Sequence, residues 1–419
     1  MRRLLLATAS AVALAAPAMA QTSVPPPGAN SAFIEQTMSN GAVAEQEQEQ
    51  AGVRPNAVRD SRLRITQTDA PGARANQQQL GTAGARATTT QTGAANLAIT
   101  RQAPGNDRTR MATITQSQTS GAAAAPPMNA AVSFDGVTMP AGVNNAFARQ
   151  DNAGGGAAIT QTQSFLPTGM AGGINTVLAV QTDSTGGSIT QAQAGAALIA
   201  EAFVTGQSNV TQNQVGTELT AEAFVTNNSL AISNVTQSQT GMLNRATATQ
   251  TNAAGNITQT QSGMGNVATA TQVGMGQGAA PIGRITQMQA GTGGTATAMQ
   301  TNSDGSIEQT QLASSNGSTL MATQSNSGGA VSQTQGGGSG NSSTVSQTDV
   351  VGLSSTTHVQ DGSMLSAAST MANQMGSTQM VMQTGMSHMA MQTMTAAGSM
   401  NVQMISQTGT GHRATQTLR

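Results

Sequence analysis

One short string of residues keeps returning along this chain, at a spacing too short for a domain and too regular for an unstructured tail. Its clearest copy is residues 233–250, SNVTQSQTGMLNRATATQ. Read as two strands, it sets Ser233, Val235, Gln237 and Gln239 on one face of the first, and Asn244, Ala246, Ala248 and Gln250 on one face of the second. Successive side chains of a strand point to opposite faces, so these sets are the inward rows of a strand–turn–strand unit. Thr240, Gly241, Met242 and Leu243 form the connection. Thr236, Ser238, Thr247 and Thr249 fall outward, small hydroxyl residues suited to a solvated β-surface.

The unit recurs next door. Ile257, Gln259 and Gln261 lead to a turn at Gly263, and Asn266, Ala268, Ala270 and Gln272 return. It is also present earlier as Gln91, Gly93, Asn96 and Gln102. First-strand starts fall at Ile65, Ile114, Ile159, Ile189, Val210, Val235, Ile257, Ile285, Ile307 and Val331. Typical steps are 21 to 25 residues, and the early steps of 49 and 45 fit two repeats each. Return strands are expected at residues 177–181, 198–204, 219–225, 296–300 and 320–324. A period of this size means a solenoid or an array. The expected fold is all-β: a repetitive β-solenoid or β-helix of stacked strand–turn–strand rungs, amyloid-forming, with about 14 rungs and a length of roughly 65 Å.

The pattern Gln-x-Gly-x-x-Asn-x5-Gln, preceded by Ser233 with five residues between it and the first Gln, resembles the repeat of curlins, the subunits of bacterial curli fibres. The return strands at 244–250 and 266–272 are especially similar. Curlin first strands usually carry two inward aliphatics; here Gln237 and Gln259 replace one of them, which makes the interior more polar. The resemblance is strict in three repeats and looser over most of the chain beyond residue 60. It implies self-assembly into a homopolymer, export through an outer-membrane secretion pore and templating by a minor nucleator subunit, without saying whether this chain is the major or the nucleating one.

Composition agrees with a stack rather than a globule. Among 419 residues there is no Trp, Tyr or Cys, only 6 Phe, and 8% are charged. So few large apolar groups cannot build an ordinary core that offsets chain ordering. Low charge with strict alternation favours backbone and side-chain ladders over disorder. The net charge of −1, with arginine as the only basic residue, gives no basis for nucleic-acid binding.

Residues 1–20 read as a secretory signal peptide, with Arg2 and Arg3 before an apolar stretch and Ala18-Met19-Ala20 at the cleavage site. No other run is apolar enough to span a membrane, so the chain is expected to be exported and not anchored by its own residues, and the curlin resemblance implies an extracellular, cell-surface fibre. Residues 21–60, with three consecutive prolines and alternating Glu and Gln at 45–50, read as a mobile polar arm. Repeats follow at 61–119. Pro126, Pro127 and Pro140 interrupt at 120–157, read as a bulged loop or hinge. Repeats resume over 158–360, and 361–419 is a Met-rich, degenerate continuation. Phe203 and Phe224, in near-identical return strands, are expected to widen the interior. In the last segment His388 and His412 take the Asn place, with Gln383, Gly385, Gln392, Gln407, Gly409 and Gln416 around them. That register turns Met380, Met382, Met389 and Met391 outward as one soft apolar stripe.

No catalytic constellation emerges: there is no Cys nucleophile or serine elbow, and the carboxylates are scattered. The reading is not an enzyme, with no cofactor, no metal site and no nucleic-acid partner. Thioethers near imidazoles suit Cu(I), against which stands a pliable packing surface. The glycine string 337–341 resembles a calcium β-roll but lacks its Asp. The residues expected to carry function are the assembly ladder: Ser233, Gln239, Gly241, Asn244, Gln250, Gln261, Gly263, Asn266, Gln272, Gln91, Gly93, Asn96 and Gln102. Inward Gln and Asn are expected to bond amide to amide from rung to rung. The alternative is a monomeric secreted β-solenoid that binds a surface such as ice through outward Thr rows, for example Thr258 with Thr260 and Thr269 with Thr271.

Overall fold

A computed structural model describes residues 31–39, 41–49, 62–80, 84–103, 112–120, 131–134, 137–140, 144–153, 156–165, 174–184, 186–226, 232–274, 283–395 and 398–418. The signal-peptide reading and most of the proline-rich stretch lie outside these residues. The described chain is all-β, a parallel β-solenoid. Fifteen first strands, from Ser31–Thr37 to Val402–Thr410, follow one another in one sheet. Fifteen return strands, from Val43–Glu49 to Arg413–Leu418, form the other. At a strand spacing of about 4.8 Å the column is about 67 Å long. Among the described residues no helix is long and apolar enough to cross a membrane.

Register follows the inward alternation. Val235 lies over Ile257 and Ile257 over Ile285; the same rungs bring Gln237, Gln259 and Gln287 into one column and Gln239, Gln261 and Gln289 into another. A slip of one residue would turn every buried row to solvent, which fixes the pairing. On the return sheet Ala246, Ala268 and Ala296 stack, as do Ala248, Ala270 and Ala298, all buried. Small residues here let the two sheets close on the longer glutamines opposite.

The turn from first to return strand is equally regular. Gly195, Gly216, Gly241 and Gly263 stack with φ from 100° to 146°. A Cβ on Gly241 would lie 2.1 Å from the carbonyl oxygen of Gly263, so the next rung itself excludes any side chain. Backbone hydrogen bonds continue through the bend, Leu243 N to Thr217 O and Gly265 N to Met242 O among them.

Several expectations are corrected. Residues 31–49, read as a mobile arm, hold the first rung: Ile34 pairs with Ile65 and Gln36 with Gln67. Glu45 and Glu47 are only the outward half of a strand whose inward residues include Ala44 and Gln46. Ile65 is not a strand start; Leu63 holds that column and Ile65 sits two residues further, in line through Thr89 with Gln116. Both are inward, so alternation alone does not tell one from the other. The 45-residue step from Ile114 to Ile159 is one rung, since those residues pair directly. The ladder counts strands, not residues, and the extra length is an insertion between Thr113–Ser120 and Asn144–Asp151. That stretch is therefore no hinge: Asn144–Asp151 pairs with Asn96–Gln102 on one side and Asn175–Thr182 on the other, and a small antiparallel hairpin, Ala131–Phe134 with Val137–Pro140, lies within the insertion. Phe203 and Phe224 do not widen the interior. They face outward and stack with centroids 5.3 Å apart, while Val204 and Val225 take the inward place.

Candidate assembly interface

The third inward column of the first-strand sheet is glutamine in every one of its fifteen rungs, from Gln36 to Gln407. Each Nε2 donates to the Oε1 of the next rung toward the C-terminus, at 2.5 to 3.2 Å, without a missing step. Gln91, Gln239 and Gln261 belong to this column. A second column runs parallel from Gln116 to Gln333 in the same direction. Here the second amide proton reaches across to the return sheet: Gln237 Nε2 donates to Glu222 O at 2.8 Å and Gln259 Nε2 to Thr247 O at 3.0 Å. These amides therefore tie rung to rung and sheet to sheet. The cross-sheet half escapes sequence reading, because the alternation says which residues meet but not how their second protons are used.

Gln102, Gln250 and Gln272 form a third column, on the return sheet. Gln102 donates to Gln150, Gln250 to Gln272, and Gln272 to Gln300. Val204 and Val225 interrupt it, and Gln250 Oε1 is left buried without a donor above that break. The asparagines divide. Asn144 donates to Asn96 and Asn175 to Asn144, amide to amide. Asn244 and Asn266 instead clamp the turn: Asn244 Nδ2 donates to Thr240 O at 3.0 Å and Gly263 O at 3.1 Å, and its Oδ1 accepts from Asn266 N at 2.9 Å. The shorter side chain reaches the turn backbone before it reaches its neighbour, which corrects the expected Asn ladder at these rungs. Ser233 is buried and its hydroxyl donates to Ala253 O; Gly93, Gly241 and Gly263 hold the bends. A further ladder, Asn209 to Asn234 to Asn256, runs on the outer side of the first-strand sheet and has no counterpart in the inward-row reading.

Near the C-terminus histidine takes over. His388 Nε2 donates to Thr384 O at 3.0 Å, and its Nδ1 accepts from His412 N at 3.1 Å, the two bonds an asparagine makes at that place. The His388 and His412 rings stack at 5.1 Å. With both nitrogens of His388 engaged, and Met380 and Met382 on the opposite sheet from Met389 and Met391, the Met/His cluster is not one cluster. The apolar stripe is two stripes. Among the described residues no three His, Cys, Asp or Glu side chains converge as a metal site.

His358 is fully buried in the second Gln column's line. Gln333 Nε2 donates to Ser343 Oγ, which lies 2.8 Å from His358 Nδ1; His358 Nε2 lies 2.6 Å from Ser369 Oγ, which donates to Gln392 Oε1. Ser369 spends its proton on Gln392, so it accepts from Nε2–H, and Nδ1 accepts from Ser343. One neutral tautomer satisfies the whole chain. Burial holds the ring neutral, pushing its pKa down from 6.5 to about 3. On the outer face, burial and then the neighbouring Glu222 raise the Glu201 pKa, and Arg245 pairs with Glu222 at 3.1 Å.

Among the described residues both ends of the column are open. Ile34, in the first rung, is 44% exposed, whereas Ile65 beneath it is 0% exposed. Fold and ladder together define the class, a parallel β-solenoid repeat protein with an amide-bonded interior. No model of a known protein family matches the chain, and no curated protein matches it.

Proposed function

We propose that this chain is an exported structural subunit that polymerises into extracellular, curli-like amyloid fibres serving surface adhesion and biofilm matrix. The observation that carries the reading is the unbroken Gln36-to-Gln407 column ending in open strand edges. An open parallel edge with an unfinished amide column is completed by another copy of itself. The resemblance of the repeat to curlins supports the same reading and adds a secretion pore and a nucleator as partners. Purified residues 21–419 are expected to bind an amyloid dye after a lag that seeds abolish, and to appear as unbranched fibres by electron microscopy. A chain that stays monodisperse for days, seeded or not, would contradict the proposal.

One observation favours a second reading, a monomer that binds a surface. Thr88, Thr115, Thr160, Thr190, Thr211, Thr236, Thr258 and Thr286 stack in eight consecutive rungs on the outer face of the first-strand sheet. Thr269 and Thr271 lie on the opposite sheet and do not extend that array. Thermal hysteresis from a stable monomer would decide for this reading.

A further inference from the structure

On the return sheet Leu97, Ile99 and Phe147 alternate with the inward residues Ala98, Thr100, Ala146 and Ala148, so they point away from the interior. They are nevertheless no more than 4% exposed, and the outward Asn145 beside them is buried too. The same two columns are open further along. Ile199 and Val267, in line with Leu97 and Asn145, are 40% and 37% exposed, and Met321, in line with Ile99 and Phe147, is 45% exposed. Column geometry therefore does not bury these residues. Another part of the same chain lies over them.

The chain leaves the column at this place. Residues 121–143 run between the first strand Thr113–Ser120 and the return strand Asn144–Asp151, a bend that needs only residues 241–243 in a later rung. They start and finish at the corner next to Leu97 and Asn145, and burial fades away from it: Arg101 and Arg149, further along the same strands, and Leu178, one rung on, are half-buried. Within the insertion Val132 pairs opposite Met139 and Phe134 opposite Val137. Alternation puts these four on one face of the hairpin. A two-stranded hairpin alone is marginal in water, so an apolar face of this kind needs a surface to pack on. Four residues of strand reach about 13 Å, enough to cross three rungs spanning about 10 Å. We infer that the hairpin seats its Val132, Phe134, Val137 and Met139 face on Leu97, Ile99 and Phe147, as a clasp on the outer side of the return sheet. Leu178, Ile199, Phe203 and Phe224 continue the apolar strip over the next three rungs, and Ile199 and Phe224 stay exposed. Resting on the assembly reading above, the clasp stands proud of the sheet and holds a second fibre off that strip, which would otherwise pair side by side with its like.

The chain has no cysteine, so a single one reports exposure without background. Ile99→Cys, under the hairpin, and Met321→Cys, in the open part of the same column, are each labelled with a maleimide in residues 21–419. Ile99→Cys is expected to react at least about tenfold more slowly than Met321→Cys. Two changes are expected to bring it to the rate of Met321→Cys with the β circular dichroism kept: replacing residues 120–143 by Gly-Met-Leu, the bend of residues 241–243, and substituting Phe134→Ser with Val137→Ser at full length. Rapid labelling of Ile99→Cys in the otherwise unchanged chain, or slow labelling that survives either change in a folded form, would overturn the inference. By electron microscopy the form without the hairpin is expected to bundle where the unsubstituted chain gives separate fibres. Equal separation of the two would overturn the role in the fibre. Absence of fibres from the unsubstituted chain would overturn the assembly reading and that role together, while labelling still decides where the hairpin sits.

Discussion

A glutamine in this interior is held by its neighbours above and below, and in the second column by the opposite sheet as well, and the cost of removing it depends on what it leaves behind. Gln239 accepts from Gln214 and donates to Gln261. Gln239→Leu would strand both neighbours, and a buried amide left unpaired costs about 1–3 kcal/mol each. Denaturant unfolding is expected to show a loss of about 2–6 kcal/mol for the two together, where a mutation of outward Ser238→Ala is expected to fall within about 0.5 kcal/mol. His358 supplies the pH dependence. Its folded pKa is about 3 against 6.5 unfolded, so below pH 6.5 the unfolded chain takes up a proton that the fold refuses. Stability is therefore expected to rise with pH between about 3 and 6.5 and to level above, and His358→Gln to flatten that slope in unfolding measured at pH 4 and 7. The inward glutamines were legible from alternation, whereas the place of His358 in the second column's line was not. Val204, Val225, Met371 and Met394, which replace Gln in its return-sheet column, were not, because neighbouring outward Phe and Met fit the same apolar expectation.

The element is the rung, and rungs are interchangeable where their columns agree. Removing residues 256–283 joins Gly255 to Arg284 and brings Gln237 beneath Gln287 with all inward columns in phase. The shortened chain is expected to keep its β circular dichroism per residue and a cooperative transition, as nearest-neighbour stacking requires. Removing only Val267–Val273 leaves a first strand without its return strand and is expected to disorder the neighbouring rungs, read as lost amide-exchange protection. The repeat itself was visible in sequence because turn and strand demand fixed residue types. Rung boundaries in the first third were less so. Ile34 and Gln36 carried the signal within a segment whose prolines and Glu–Gln run pointed elsewhere, and the insertion before Asn144 hid one step of the ladder behind 45 residues.

At the scale of the whole molecule, parallel strands, like-on-like columns and one direction of donation along the glutamine columns leave two unlike open ends among the described residues. Among the described residues nothing completes them, and on the proposed reading a second copy would. A fibre built this way has its strands perpendicular to its axis and its rungs in continuous register across subunits. Fibre diffraction from assembled residues 21–419 tests this most directly. The account predicts a sharp meridional reflection at about 4.7–4.8 Å, from strands stacked along the fibre. Fibres without that meridional spacing, or a preparation that remains single particles, would contradict it.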